Sequence, residues 1–414
     1  MTQFSGALER IERLLEAPDR ELVRRYPGAA ESRQPVHSVY VPAHRFDGGT
    51  IASWSGAAQA ALGSAGGPQH LLEVHGVPAG AERDRLGELV AAKLQREPIE
   101  DLRIDFEDGY GEVGDEEEDA AVDAAVAAVG ELRESGELPP FIGIRFKSLE
   151  QPTRARGLRT LERFVTGLHR GPGLPHGLLL TLPKVTSVAQ VEAMVVALAA
   201  LEEDLELQPG SLTFEIQVET PQAVLGPDGT SLLPLMITAG QGRVSAMPYG
   251  TYDYSASLGL AAGDQSMEHP AADHAKAVMQ VAAAGTAVRL SDGSTNVIPV
   301  GDRDAVDAAW AVHGRLVRRS LHRGFYQGWD LHPAHLPSRF AATYAFFRAG
   351  LEAILDRLER YLAHREGDVM DEPATARAMA SFLVRGLDCG AVGADEVPFP
   401  ESDLRALLSR RVAG

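Results

Sequence analysis

The sequence predicts an α/β chain built as a closed (β/α)8 TIM barrel, with an N-terminal helix ahead of it and a C-terminal helical extension behind it. Three observations carry that expectation. Short apolar, β-branched runs alternate with Ala/Leu/Glu/Arg segments of helical period. The alternation recurs at a spacing of roughly 30–45 residues, as βαβ units and a parallel sheet require. The runs number about eight, the count that closes a barrel instead of leaving an open sheet.

Ser5–Arg25 places Leu8, Ile11, Leu14, Leu15 and Leu22 near the helical period with Arg and Glu between them, and Pro27-Gly28 ends it. The strand runs follow in order: Ser38–Val41, Leu102–Phe106, Phe141–Phe146, Leu178–Leu182, Leu212–Val218 and Val244–Met247. Ala287–Leu290 and the stretch around Tyr326–Leu331 complete the set. Between them Glu116–Glu134, Leu158–Leu168, Val188–Leu205, Ala271–Ala284 and Arg303–His322 read as helices. The small-residue stretch Gly48–Gly67 lies in an unusually long first connection and reads as an insertion or elaborated loop. Ala341–His364 and Thr375–Leu387 read as further helices, followed by a Gly/Pro-rich tail. The expected division is a helical leader over 1–35, a barrel over 36–340 with an insertion near 46–80, and a helical extension over 341–414.

Composition narrows the function. With 414 residues, 44% hydrophobic and 23% charged, the chain can bury a large core and is not disordered. Its one cysteine, Cys389, excludes a disulfide scaffold. No apolar run reaches the roughly 18 residues of a membrane span, and Met1–Arg10 is polar, unlike a signal peptide. The expectation is a cytoplasmic protein. A net charge of −19 repels nucleic acid and anionic membranes, so neither is an expected partner. A small anionic substrate would need local compensation from arginine or a bound cation. Lys93, Lys147, Lys184 and Lys276 are the only lysines.

Barrel enzymes keep their working residues at the C-terminal ends of strands. Here those ends carry His44; Asp105, Glu107 and Asp108; Arg145 and Lys147; Lys184; Glu219; Asp253; and His332. One carboxylate so placed is readily a helix cap or an arginine's partner. So many loaded strand ends together read as a site. Glu219 and Asp253 suit Mg2+ or Mn2+, which prefer oxygen ligands and leave positions for substrate oxygens. Such a cation would polarise a carbonyl and stabilise an adjacent enolate. Arg145 suits bidentate grip on a carboxylate. The histidines lack paired zinc spacing.

In series, these motifs resemble the citrate lyase beta-subunit superfamily, which includes malyl-CoA lyases and HpcH/HpaI aldolases. The matching pieces are Ser38-Val-Tyr-Val-Pro-Ala43, Asp105-Phe-Glu-Asp108, Arg145, Leu182-Pro-Lys-Val185 and Val218-Glu-Thr220. Gly250-Thr-Tyr-Asp-Tyr-Ser-Ala-Ser-Leu-Gly259 and Leu331-His-Pro333 complete the series, which runs from Ser38 to Pro333. The resemblance implies a Mg2+-dependent carbon–carbon lyase or aldolase acting through a metal-stabilised enolate. It implies a short 2-oxo or 2-hydroxy acid, or its CoA thioester, as substrate, and a homo-oligomer, trimer or hexamer. Glu219 and Asp253 would hold the metal and Arg145 the substrate, with Lys184, Glu107 and Asp108 supporting it. His44 is a candidate acid–base group. Asp388 matches a C-terminal aspartate that malyl-CoA lyase-like enzymes bring over the mouth from a neighbouring subunit. Arg145-Phe-Lys147 departs from the usual Arg-Ile-Asn or Arg-Val-Asn, and no basic cluster announces the 3′-phosphate of CoA.

Two alternatives stand beside this reading. Glu219-Thr-Pro and Gly250-Thr-Tyr-Asp also resemble the phosphoenolpyruvate-binding barrel of pyruvate phosphate dikinase-type enzymes, which would make the chain a phosphotransferase. No G-x-x-x-x-G-K-[ST] phosphate loop is present. The other alternative is a non-catalytic barrel that binds an organic acid.

Overall fold

The structure is a computed structural model that describes residues 3–28, 32–363 and 372–409. Among them are eight strands: β1 His37–Pro42, β2 Asp101–Asp105, β3 Phe141–Arg145, β4 Leu178–Leu182, β5 Phe214–Ile216, β6 Val244–Pro248, β7 Arg289–Ser291 and β8 Gly328–Asp330. From β1 to β7 each strand pairs in parallel with the next, and β1 pairs with β8. A parallel bridge between Ser291 and Gln327 brings β7 against the start of β8 and closes the ring. The chain is a (β/α)8 barrel.

The helices are α1 Gln3–Arg25, α2 Thr50–Ser64, α3 Gly67–Val74, α4 Ala81–Arg96, α5 Asp115–Ser135, α6 Arg154–Arg170 and α7 Val188–Asp204. After β5 come the short α8 Pro221–Val224 and α9 Leu233–Ala239, then α10 Thr251–Ser257, α11 Pro270–Ala283 and α12 Arg303–His322. Last are α13 Leu336–Leu362, α14 Pro373–Cys389 and α15 Glu401–Ser409. Two expectations take a more definite form. The Gly48–Gly67 stretch is mostly helix α2, because alanine is the strongest helix former and Ala58 and Leu62 bury one face. The tail beyond Leu387 contains α15, anchored by the buried Leu404. His364, the expected end of the long C-terminal helix, falls outside the described residues.

The apolar core lies between strands and helices. Leu161, Phe164, Val165 and Leu168 on one face of α6 are fully buried, each worth about 1.5–3 kcal/mol. Just outside the barrel wall, buried Asp330 of β8 joins His37 Nδ1 at 2.9 Å, His313 Nε2 at 3.1 Å and Arg339 at 2.8 Å. That one carboxylate ties β1, α12 and α13 to the last strand. In α1 the expected apolar stripe exists, but Leu8, Leu14, Leu15 and Leu22 are exposed.

The barrel interior is charged, where branched apolar layers are usual. Arg103 of β2 reaches Asp101 on its own strand, Thr181 Oγ1 at 3.0 Å on β4 and Glu215 at 3.1 Å on β5. Beneath it Ser38 Oγ donates to Asp101 at 2.6 Å, and Gln327 Nε2 donates to Ser38 at 2.9 Å. Every second residue of Asp101-Leu-Arg-Ile-Asp105 points inward, so the strand's charges all share the barrel axis.

Candidate active site

Strand register assembles the upper layer. Asp105 and Arg145, the last residues of β2 and β3, are direct partners across the two strands. Arg145 Nε and one terminal nitrogen each donate to Asp105 at 2.7 Å. Its other terminal nitrogen lies 3.2 Å from Glu107 and 3.7 Å from Asp108. Asp105 also accepts from the backbone N–H of Glu107 at 3.1 Å and of Gly109 at 2.8 Å, which folds the loop after β2 back over the strand end. Beneath the guanidinium lie the rings of Tyr40 and Trp329, with centroids 5.0 and 5.6 Å away. Burial works against the charge of Arg145, and the Asp105 carboxylate more than outweighs it.

The second half of the layer is built around Lys184. This residue has φ 50°, a left-handed conformation that costs a non-glycine residue strain. The turn aims its backbone N–H at Glu219 Oε1, 2.7 Å away. Its ammonium sits 3.0 Å from Glu107, 3.2 Å from Asp108 and 3.1 Å from Asp253. Burial opposes that charge, but the four surrounding carboxylates, Glu219 foremost, keep Lys184 protonated. Glu219 is fully buried and accepts from Gln217 Nε2 at 2.6 Å; burial pushes its carboxyl up to about 8. Burial likewise pushes Glu107 up to about 7, while Asp108, half exposed, is held low by Arg145 against its own burial. Gly250 makes room for this arrangement: a Cβ there would stand 2.5 Å from Glu219 Cβ and 2.8 Å from Oε2.

Six expected site residues therefore meet at the C-terminal mouth: Glu107, Asp108, Arg145, Lys184, Glu219 and Asp253. His44 is on the same rim, exposed on the short turn after β1, with its ring 5.7 Å from that of Tyr110. His332 accepts from the backbone N–H of Ala334 at 3.2 Å and caps a short turn. Asp388 is not brought to the mouth within the chain. It ends α14 beside Arg405, at 2.7 Å, lining a cavity at the N-terminal end of the barrel. Lys147, at the end of β3, turns away to the Phe106 carbonyl and to Glu118 of α5. Lys93 and Lys276 are buried in ion pairs with Glu100 and Asp292, so Lys184 is the lysine of the mouth. Cys389 is buried and its thiol is pushed up to about 12 by that burial, as packing demands. Sequence reasoning passed over Gln217, Tyr40 and Trp329. The signal was there: each lies two residues along its strand from another inward-facing residue.

The donors fit a hard cation. All are oxygens, and the buried Gln217 Oε1 has no hydrogen-bond partner. Among the described residues no three acidic, His or Cys side chains are poised around an ion as they stand. The lysine ammonium is at the point where Glu107, Asp108 and Asp253 converge.

The sequence profile of a family described as a domain of unknown function (DUF6986) matches residues 15–412. The chain belongs to that family. No curated protein matches the sequence. Among solved structures, the magnesium/glyoxylate complex of Haloferax volcanii malate synthase is similar over 91% of this chain and 98% of its own, at 14% identity and TM-score 0.51. The CitE protein of Mycobacterium tuberculosis, in complex with magnesium, acetoacetate and coenzyme A, covers 87% and 99% at 18% identity and TM-score 0.48. An HpcH/HpaI aldolase/citrate lyase family protein of Burkholderia cenocepacia J2315 covers 81% and 97% at 14% identity and TM-score 0.41. The first is a likeness of fold alone.

Proposed function

We propose that this protein is a Mg2+-dependent carbon–carbon lyase or aldolase acting on a short 2-oxo or 2-hydroxy acid or its CoA thioester. The observation that carries the reading is the meeting of Arg145, Lys184, Glu219 and Asp253 at one barrel mouth, with an oxygen-only donor set. Glu219 and Asp253 would hold the cation, Mg2+ or Mn2+. Bound there, it would polarise a substrate carbonyl and stabilise an enolate beside it.

The chain's own groups do the rest. Asp105 spends two of the three guanidinium nitrogens of Arg145 on fixing its plane, so the third, near Glu107, meets a substrate oxygen. Orientation of this kind is worth orders of magnitude in rate without any chemistry from the residue itself. Lys184 adds a second positive charge, which offsets for an anionic substrate the −19 of the chain. Tyr40 and Trp329 form an apolar floor that keeps water from beneath the guanidinium. His44, on the rim, would hold the proton exchanged with substrate. Asp388 lies at the opposite end and takes no part within a single chain. The malate synthase structure, a complex with magnesium and glyoxylate on the same fold, supports the choice of cation and substrate class.

The test is NMR of pyruvate and, separately, acetyl-CoA in D2O with Mg2+, following deuterium entry into the methyl group. Exchange that disappears in Glu219→Ala supports enolate chemistry, and the donor that exchanges decides whether CoA is used. No exchange from either donor, with or without glyoxylate, would favour phosphotransfer or simple organic-acid binding.

A further inference from the structure

A cavity of about 300 Å3 opens at the N-terminal end of the barrel, beside the first residue of β7 and the segment entering β8. Arg289 and Arg385 both line it. Arg385 donates to Gln34 Oε1 at 2.5 Å and Ser381 Oγ at 3.4 Å, and its guanidinium lies 4.3 Å over the ring of Tyr326. Arg289 donates to the carbonyl of Arg33 at 2.8 Å and lies 5.3 Å over Phe141. None of these partners is an anion. Asp388, the carboxylate on the cavity wall, is already engaged by Arg405. A guanidinium has five N–H donors, so most of those on Arg289 and Arg385 have no protein acceptor.

Buried guanidinium groups stacked on aromatic rings can serve packing alone. The rest of the chain speaks against that here. Arg33, Arg103, Arg145, Arg243 and Arg339 are also drawn into the interior and each holds a carboxylate at ion-pair distance, whereas the half-buried Arg83 and Arg318 donate to single backbone carbonyls, of Val77 and His75. Arg289 and Arg385 differ from those two in lining one cavity together, each without a carboxylate at ion-pair distance. Burial and the nearby charge of Arg289 depress the pKa of Arg385, and burial does the same to Arg289, the opposite of what Asp105 does for Arg145. A cavity of this size suits a small metabolite, and its apolar lining includes Val288, Leu290 and Val384.

We propose that this cavity is a binding site for a small organic anion, whose carboxylate or phosphate group is gripped by Arg289 and Arg385. Its place at the N-terminal end, away from the mouth, makes it a binding site without chemistry of its own. Planar guanidinium forks recognise both oxyanions, so the two sources are separated by experiment. Calorimetric titration of the full chain at low ionic strength uses inorganic phosphate in one arm and succinate in the other. At least one arm should saturate, and the tighter one names the group. Arg385→Gln should weaken binding at least tenfold, and Arg385→Lys, which keeps charge but not the fork, by less. Ser381→Asp supplies an internal carboxylate beside Arg385; it should abolish binding without lowering the Tm, which guards against a variant that merely unfolds. Lys184→Met should leave the affinity unchanged. The proposal is overturned if neither anion binds, if binding survives both Arg385→Gln and Ser381→Asp, or if Lys184→Met removes it and so places the anion at the mouth.

Discussion

Asp105 and Arg145 face each other across β2 and β3 in strict register, and the carboxylate holds the guanidinium by two hydrogen bonds of 2.7 Å. The pair is buried, so it is sensitive to the loss of either member. Arg145→Gln leaves Asp105 as an uncompensated interior charge, which costs about 3–5 kcal/mol in a denaturant titration. Enolate exchange should fall at least about 100-fold. Arg145→Lys should restore part of the stability and little of the exchange, because an ammonium cannot span both oxygens.

Removing the ammonium of Lys184 tests how the mouth accommodates a cation. With Lys184→Met, Glu107, Asp108 and Asp253 lose the positive charge they share. The variant should have a lower Tm than the parent in EDTA and a larger rise in Tm on adding Mg2+. Equal Mg2+ responses in the two proteins would show that the ammonium and the cation do not compete for these carboxylates.

Gly250 is under steric constraint. Gly250→Ala would press a methyl into Glu219, at 2.5 Å from Cβ. Overpacking of this kind costs about 1–3 kcal/mol. The effect on Mg2+ affinity, read by calorimetry, should exceed that of an alanine at the exposed rim residue His44.

The charged barrel interior should show strong coupling. Arg103→Met isolates Asp101 and Glu215 and should cost about 3–5 kcal/mol. Adding Asp101→Asn and Glu215→Gln should recover more than half of that loss, since the penalty lies in the unpaired charges. Additive losses in this series would overturn the account.

Two buried histidines give a pH signature. Burial lowers His75 to about 3 and His313 to about 4, from the ordinary 6.5. Below about pH 6.5 the unfolded chain takes up protons that these folded histidines refuse. Stability present above that pH is therefore lost as pH falls towards 4 and then 3. The loss is on the order of 5 kcal/mol for His75 and 3 kcal/mol for His313. The difference in unfolding free energy between the parent and the double variant His75→Gln/His313→Gln should change across this window and be flat above pH 7.

Much of this was legible along the chain because it is local. About eight short β-branched runs, most of them followed by a segment of helical period, imply the barrel. A residue at the end of a barrel strand is at the mouth whatever its neighbours are, so Arg145, Lys184, Glu219 and Asp253 could be grouped before any contact was known. The helical form of α2 within the insertion was not legible because small residues leave a weak amphipathic pattern, although alanine itself favours helix.

Partnership between distant residues was not legible. Nothing in the sequence says that Lys147 turns outward to Glu118 while Lys184 turns inward among carboxylates. Nor does it place Asp388 at the far end of the barrel from Glu219, or leave Arg289 and Arg385 together without a carboxylate. Periodicity reports which way a side chain faces on its own element. Which side chain it then meets depends on closure of the ring and on how each helix lies across two strands, and those distances exist only once the chain has folded.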